Sequence, residues 1–227
     1  MLVRPDGDAT ICIGQASHAW ITGQLARAWR DVEPREEVCL AAEQHDVGWA
    51  DWDLRPQLNP DSGLPRTFME IDFHTRMAIW EPAPHRLEAQ SLYAATLVSM
   101  HGTALHRSMA EAAGYVAAQE ELQQAWIERL EADPGEVDRN RRRLLVWDAL
   151  SLALCLRWDP FDSEGLHLER VEDETFTLEP WPLEPERLTV RCEGRRLERR
   201  FDDQRALQAA LERAPVVTLE FALSPGR

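Results

Sequence analysis

Gln44-His45-Asp46-Val47-Gly48-Trp49 closes a stretch, Glu36 to Trp49, in which apolar residues recur with a helical period. The stripe runs Val38, Ala41, Ala42, His45, Trp49, so an imidazole stands at a core-facing position and a carboxylate, Asp46, stands beside it. A buried carboxylate must be paired or neutralised, and a buried imidazole needs hydrogen-bond partners. A lone histidine on such a stripe is ordinarily a satisfied core residue. The question is whether other helices bring partners to the same place.

Four of them are expected to. From Ser17, a plausible N-cap, His18, Ile21, Leu25 and Trp29 share one face. A loop from Asp51 to Pro65, centred on NPDSGLP, leads to a third helix over Phe68 to Trp80, which carries His74. The fourth, Leu87 to His106, stacks Ala94, Val98, His101 and Leu105. A fifth carries Met109, Ala112, Val116 and Trp126 and ends at Asp133-Pro134-Gly135. The sixth, about Glu136 to Arg157, has the stripe Leu144, Asp148, Leu152, Cys155. Five helices thus each place a histidine or aspartate on an apolar face. Imidazoles and carboxylates that converge in a helical core suit divalent first-row metals, whose charge offsets the buried carboxylates.

After Asp159-Pro160-Phe161-Asp162 the period changes. Thr175–Leu178, Leu188–Cys192 and Val216–Phe221 alternate with period two and read as strands, Glu193-Gly194 as a hairpin turn, and Asp203 to Arg213 as one more helix; Ala9 to Ile13 is a further strand candidate. The expected architecture is mainly α: a helical bundle over residues 1–160, with a small antiparallel β appendage over 161–227 packed on it.

Composition narrows the chemistry. All 25 basic residues are arginine, so a P-loop lysine, a Schiff base and any other catalytic lysine are excluded. The net charge of −15 opposes nucleic acid as a general partner. The apolar runs are too short for a membrane span, there is no signal-peptide layout, and the four scattered cysteines read as reduced core thiols, so a cytoplasmic protein acting on a small molecule is expected. The run Arg139, Arg141, Arg142, Arg143 reads first as a solvated helix start. His85, His106 and His167 lie at turns or element ends and read as surface residues, and Asp51 and Asp53 as turn or cap residues.

His18, His45-Asp46, His74, His101 and Asp148 follow one another at separations of 27, 28, 27 and 47 positions. In this order the set resembles the HD-domain superfamily of metal-dependent phosphohydrolases, which is named for the adjacent His-Asp pair; the resemblance covers about residues 15–158. More narrowly, GQASHAW, EQHDVGWADWD, LNPDSGLP, LVSMHG, WDALSLALC and EPWPL resemble an uncharacterised bacterial family of that type. The resemblance implies an HD-like helical bundle and two divalent metal ions, Fe or Mn. His18, His45, Asp46 and Asp148 would hold one, and His74 and His101 the other, with Asp46 bridging them as the catalytic carboxylate. Such a pair lowers the pKa of a water and clamps a phosphoryl oxygen for in-line attack. Gln15, Gln44, Trp49 and Trp52 are candidates to orient an imidazole or touch substrate. Trp49 stands where many superfamily members carry a lysine. The same ligands serve di-iron oxygenases of the HD type, and a non-catalytic metal-containing binding protein is the third alternative.

Overall fold

The computed structural model describes residues 1–226. Two N-terminal strands, β1 (Leu2–Asp6) and β2 (Ala9–Ile13), precede helices α1 (Gln15–Ala28) and α2 (Arg35–Gln44). A 3-10 turn over Val47–Trp49 leads into the short α3 (Ala50–Leu54). A two-stranded hairpin follows, β3 (Leu58–Asn59) with β4 (Leu64–Pro65), and then α4 (Phe73–Trp80), α5 (Leu92–His106), α6 (Ala113–Leu130) and α7 (Pro134–Leu156). The chain ends with β5 (Phe161–Ser163), β6 (Leu166–Glu172), β7 (Thr175–Glu179), β8 (Leu188–Leu197), α8 (Gln204–Arg213) and β9 (Val216–Pro225).

Side-chain caps set the starts of four of the eight α-helices among the described residues. The side chains of Asp72, Ser91 and Asp203 accept the backbone N–H of Thr75, Ala94 and Ala206, at 2.9, 3.1 and 2.8 Å. The first two caps explain why α4 and α5 begin five residues later than their apolar periods suggest. Asp133 caps α7 and Pro134 takes its first position; at the other end Arg157 turns left-handed (φ 55°) and Trp158 N–H reaches back to Ala153 O. Ser17 is not a cap. Its hydroxyl donates to Glu193 O (2.6 Å) and accepts from Glu193 N–H (3.0 Å), which latches α1 onto β8.

The expectation of a mainly α, all-helical core with a small antiparallel appendage is overturned. Seven strands form one curled, mixed sheet in the order β1-β2-β8-β9-β7-β6-β5, and the fold is α/β. All neighbours are antiparallel except β7 and β9, which are parallel. The N-terminal hairpin joins the C-terminal strands directly, as Thr10 pairs with Leu197 and Ile13 with Gly194. Glu193-Gly194 therefore lies inside a ten-residue strand rather than at a turn. A Cβ on Gly194 would come within 2.7 Å of Ile11 Cγ2, so the missing side chain allows β8 to close on β2.

The sheet's inner face and the helices share one core. Leu168, Phe176, Leu178, Val190, Cys192 and Phe221 are buried in the same cluster as Leu25, Leu144, Leu150 and Leu154. A second cluster, Trp49, Ile71, Met77, Ile79, Trp80, Tyr115 and Val116, lies where α4 and α6 meet the 3-10 turn. No helix among the described residues is long and apolar enough to cross a membrane, and all four cysteines are buried and unbridged.

Candidate metal centre

Five of the six proposed ligands come together. His18 projects from the first turn of α1, His45 and Asp46 from the end of α2, His101 from the middle of α5 and Asp148 from the middle of α7. All five are buried, His45 completely and Asp148 to 8% exposure. His18 Nε2 lies 2.8 Å and His45 Nε2 3.6 Å from Asp46 Oδ2. Asp148 touches all three imidazoles: its Oδ1 is 3.3 Å from His45 Nε2 and 3.8 Å from His18 Nδ1, and its Oδ2 is 3.6 Å from His101 Nε2. Two donor triads result, His18–His45–Asp46 and His45–His101–Asp148, each with its ligand atoms within 4.8 Å of one another and with His45 common to both.

The partners of the other ring nitrogens show what the cluster is built to hold. His45 Nδ1 lies 2.9 Å from Ala42 O, an acceptor only, so this nitrogen carries the proton. The Ser151 hydroxyl gives its proton to Asp148 O at 2.8 Å; it therefore accepts from His18 Nδ1 at 2.8 Å, and Thr22 Oγ1 stands 3.0 Å from it. In the neutral rings both Nε2 atoms then present a lone pair to carboxylate oxygens, which repels. As an imidazolium, His45 would instead aim Nε2–H between two carboxylates, yet this nitrogen makes no hydrogen bond. A divalent cation resolves both conflicts: it takes the lone pairs and offsets the two carboxylates. Three imidazoles and two carboxylates are also a donor set suited to Fe, Mn or Zn.

Without such a cation the protons follow the charges. Burial opposes a charged His45, but Asp46 and Asp148 outweigh it and raise its pKa to about 9. At His101 burial dominates over Asp148 and the pKa falls to about 4. Burial would likewise keep Asp148 protonated, but the His45 ring 3.3 Å away and the charges of the neighbouring imidazoles hold it well below the usual carboxylate range.

The sixth residue is elsewhere. His74 is exposed in the first turn of α4, outside both triads. Of the proposed flanking residues, Gln15 and Trp49 are buried, with Gln15 Oε1 and Trp49 Nε1 unpartnered; Trp52 is half-buried with an unpartnered Nε1, and Gln44 is half-buried at the end of α2. Asp53 stays a structural residue, its carboxylate accepting the Gln15 N–H and lying 3.0 Å from the Met1 amine. Arg141 and Arg142 pair with Asp138, and Arg143 donates to Asp31 O, as a solvated helix start would. His85 and His167 are exposed, as their positions suggest, and pair with Glu88 and Asp162.

The sequence reading missed Ser151, which orients His18; its signal was the spacing of three residues from Asp148 on one helix. It also placed His106 at the surface. His106 does end α5, but the structure buries it between Trp80 and Tyr115, with Nδ1 on Gly102 O at 2.7 Å.

Residues 1–199 match the model of a family described as "Protein of unknown function (DUF3891)". No curated protein and no solved structure matches the chain.

Proposed function

We propose that this chain, which belongs to the DUF3891 family, is a metal-dependent hydrolase of phosphoesters in the manner of the HD-domain superfamily, with its chemistry at the His18–His45–Asp46–His101–Asp148 cluster. The observation that carries the reading is His45 Nε2, a completely buried nitrogen without a hydrogen-bond partner, set between the carboxylates of Asp46 and Asp148. Bound there, a divalent cation supplies a Lewis acid for a phosphoryl oxygen and acidifies a water toward neutral pH.

The chain's own residues would do the rest. Ser151 and the Ala42 carbonyl hold the His18 and His45 rings in the orientation that presents Nε2. Asp148, in reach of all three rings, would be the carboxylate that serves all three imidazoles, whereas the family resemblance gives the central role to Asp46. Asp46 Oδ2, facing His18 Nε2 at 2.8 Å, is placed to accept a proton from an attacking water and keep it beside an imidazole. Trp80, 5.8 Å from the His101 ring, walls the apolar side and keeps bulk water away.

Protein purified without chelator, with metal measured by inductively coupled plasma mass spectrometry, should carry at least one Fe, Mn or Zn per chain. It should hydrolyse a generic ester such as bis(p-nitrophenyl) phosphate, and Asp148→Asn should lose both properties. Full metal content in Asp148→Asn would remove the cluster from the mechanism. Metal without hydrolysis of any phosphoester would remove the reaction and leave the centre.

A further inference from the structure

We propose that a cleft between the first half of α7 and the β5–β6 turn binds a small organic phosphate monoester, its dianionic head on Arg139, Arg142 and Arg143 and its apolar part against Trp29. The site is separate from the candidate metal centre and does not rest on the phosphohydrolase reading.

The cleft has a volume of about 360 Å³ and is lined on its charged side by those three arginines and on its apolar side by Trp29, Val146 and Leu166. Positions 139, 142, 143 and 146 are three, four and seven residues apart from the first, so α7 presents them on one face. At 3.6 residues per turn that face lies roughly 120–180° round the helix from Asp148, which contacts the imidazoles of the centre. Trp29 follows α1 directly and is held edge-on against Trp147, with 5.7 Å between the ring centroids. Val146 and Leu166, the first residue of β6, are both buried.

In a chain of net charge −15 this cleft gathers positive charge, and that charge is only partly met. Arg142 pairs with Asp138 at 3.1 Å, a carboxylate that it shares with Arg141. Arg143 donates to Asp31 O at 2.7 Å and to Asn140 Oδ1 at 3.5 Å, both neutral acceptors, and Arg139 has no side-chain partner among the described residues. Burial and the charge of Arg139 hold the Arg143 guanidinium below its ordinary pKa, against the pull of Asp31. Like charges one helical turn apart are destabilising, and an anion between them removes the conflict. Glu164, on the turn between β5 and β6, also lines the cleft, but it makes no ion pair among the described residues, so positive charge stays in excess.

A guanidinium fork donates to two oxygens of one phosphate side by side, and a monoester near its dianionic state answers this excess better than a single carboxylate does. The volume lies at the small end of the range for small-molecule sites, which leaves room for an apolar group beside the indole.

The test is isothermal titration calorimetry with benzylphosphonate, an arylmethyl analogue of a phosphate monoester that has no ester bond to hydrolyse. It should bind saturably at one site per chain, with the same affinity in the presence and absence of zinc. Methylphosphonate, which lacks the ring, should bind about tenfold more weakly, the worth of burying an aromatic group. Arg139→Gln, an exposed change that leaves the fold intact, should weaken benzylphosphonate about tenfold, as loss of a hydrogen bond to a charged group does. No saturable binding by the wild type, or equal affinity in Arg139→Gln, overturns the inference. Equal affinity for methylphosphonate overturns the assignment of an apolar half to the site. Binding that requires zinc places the anion at the metal centre and overturns it as well.

Discussion

At the scale of single residues, the five converging ligands differ in what they can lose. Asp148 contacts every imidazole of the cluster, whereas His101 contacts Asp148 alone among the carboxylates and keeps Nδ1 unpartnered. His74 touches none of them. His101→Ala should therefore lower metal affinity by at least the roughly tenfold to hundredfold lost when only a partner that orients a ligand is removed. His74→Ala should bind metal as the wild type does. Competition against a chromogenic chelator measures both. A His74→Ala protein that loses half its metal would show that α4 moves in to complete a second ion site. The sequence order of histidines and aspartates was legible because helical period puts each on an apolar stripe. His74 obeyed the same period and still faces outward, since α4 begins only at the Asp72 cap and the face it buries is that of Met77 and Trp80.

At the scale of elements, the 3-10 turn between α2 and α3 positions both Asp46 and Trp49. It can do so because Gly48 packs against the end of α4: a Cβ there would stand 2.4 Å from Ile79 O and 3.0 Å from Ala83 Cβ. Gly48→Ala must displace either the turn or α4. It should destabilise the fold by about 1–3 kcal/mol, as overpacking does, and weaken metal binding with it; urea denaturation with and without added zinc separates the two effects. Unchanged stability would mean that the turn has room to shift. This element was read as the last turn of one long helix, Glu36 to Trp49. The apolar spacing does persist through Trp49, but the chain tightens after Gln44 so that His45 and Asp46 can face the same centre. A period of 3.6 and a short 3-10 turn leave nearly the same pattern in sequence, and only packing against α4 selects between them.

At the scale of the molecule, the division into 1–160 and 161–227 meets a sheet that uses strands from both segments. β2 pairs with β8, and Leu150 and Leu154 of α7 share a core with Phe176 and Phe221. A fragment ending at residue 160 would expose that face and leave β2 without its neighbour. It should unfold without a cooperative transition and bind a hydrophobic dye, as states with lost side-chain packing do. Cooperative unfolding of the fragment, with metal uptake, would show that the helices stand alone.

By itself the sequence determined the helices that carry His18, His45, His101 and Asp148, the strands β2 and β7 and the first halves of β8 and β9, the absence of lysine chemistry and the likeness of its motif to a metal-binding pattern. These are properties of local period, capping and composition, which each segment expresses whatever its neighbours do. The tertiary structure alone decided that the strands form one seven-stranded sheet. β1 contains Pro5 and sits at the sheet edge, and β6 is rich in charge, so neither displays a strand's full alternation. It also decided that His74 stays outside and that Ser151 orients His18. The β2–β8 pairing and the approach of Asp148 to His18 and His45 join residues more than a hundred positions apart, and the free energy that selects them is the burial of a shared core, which no local segment encodes.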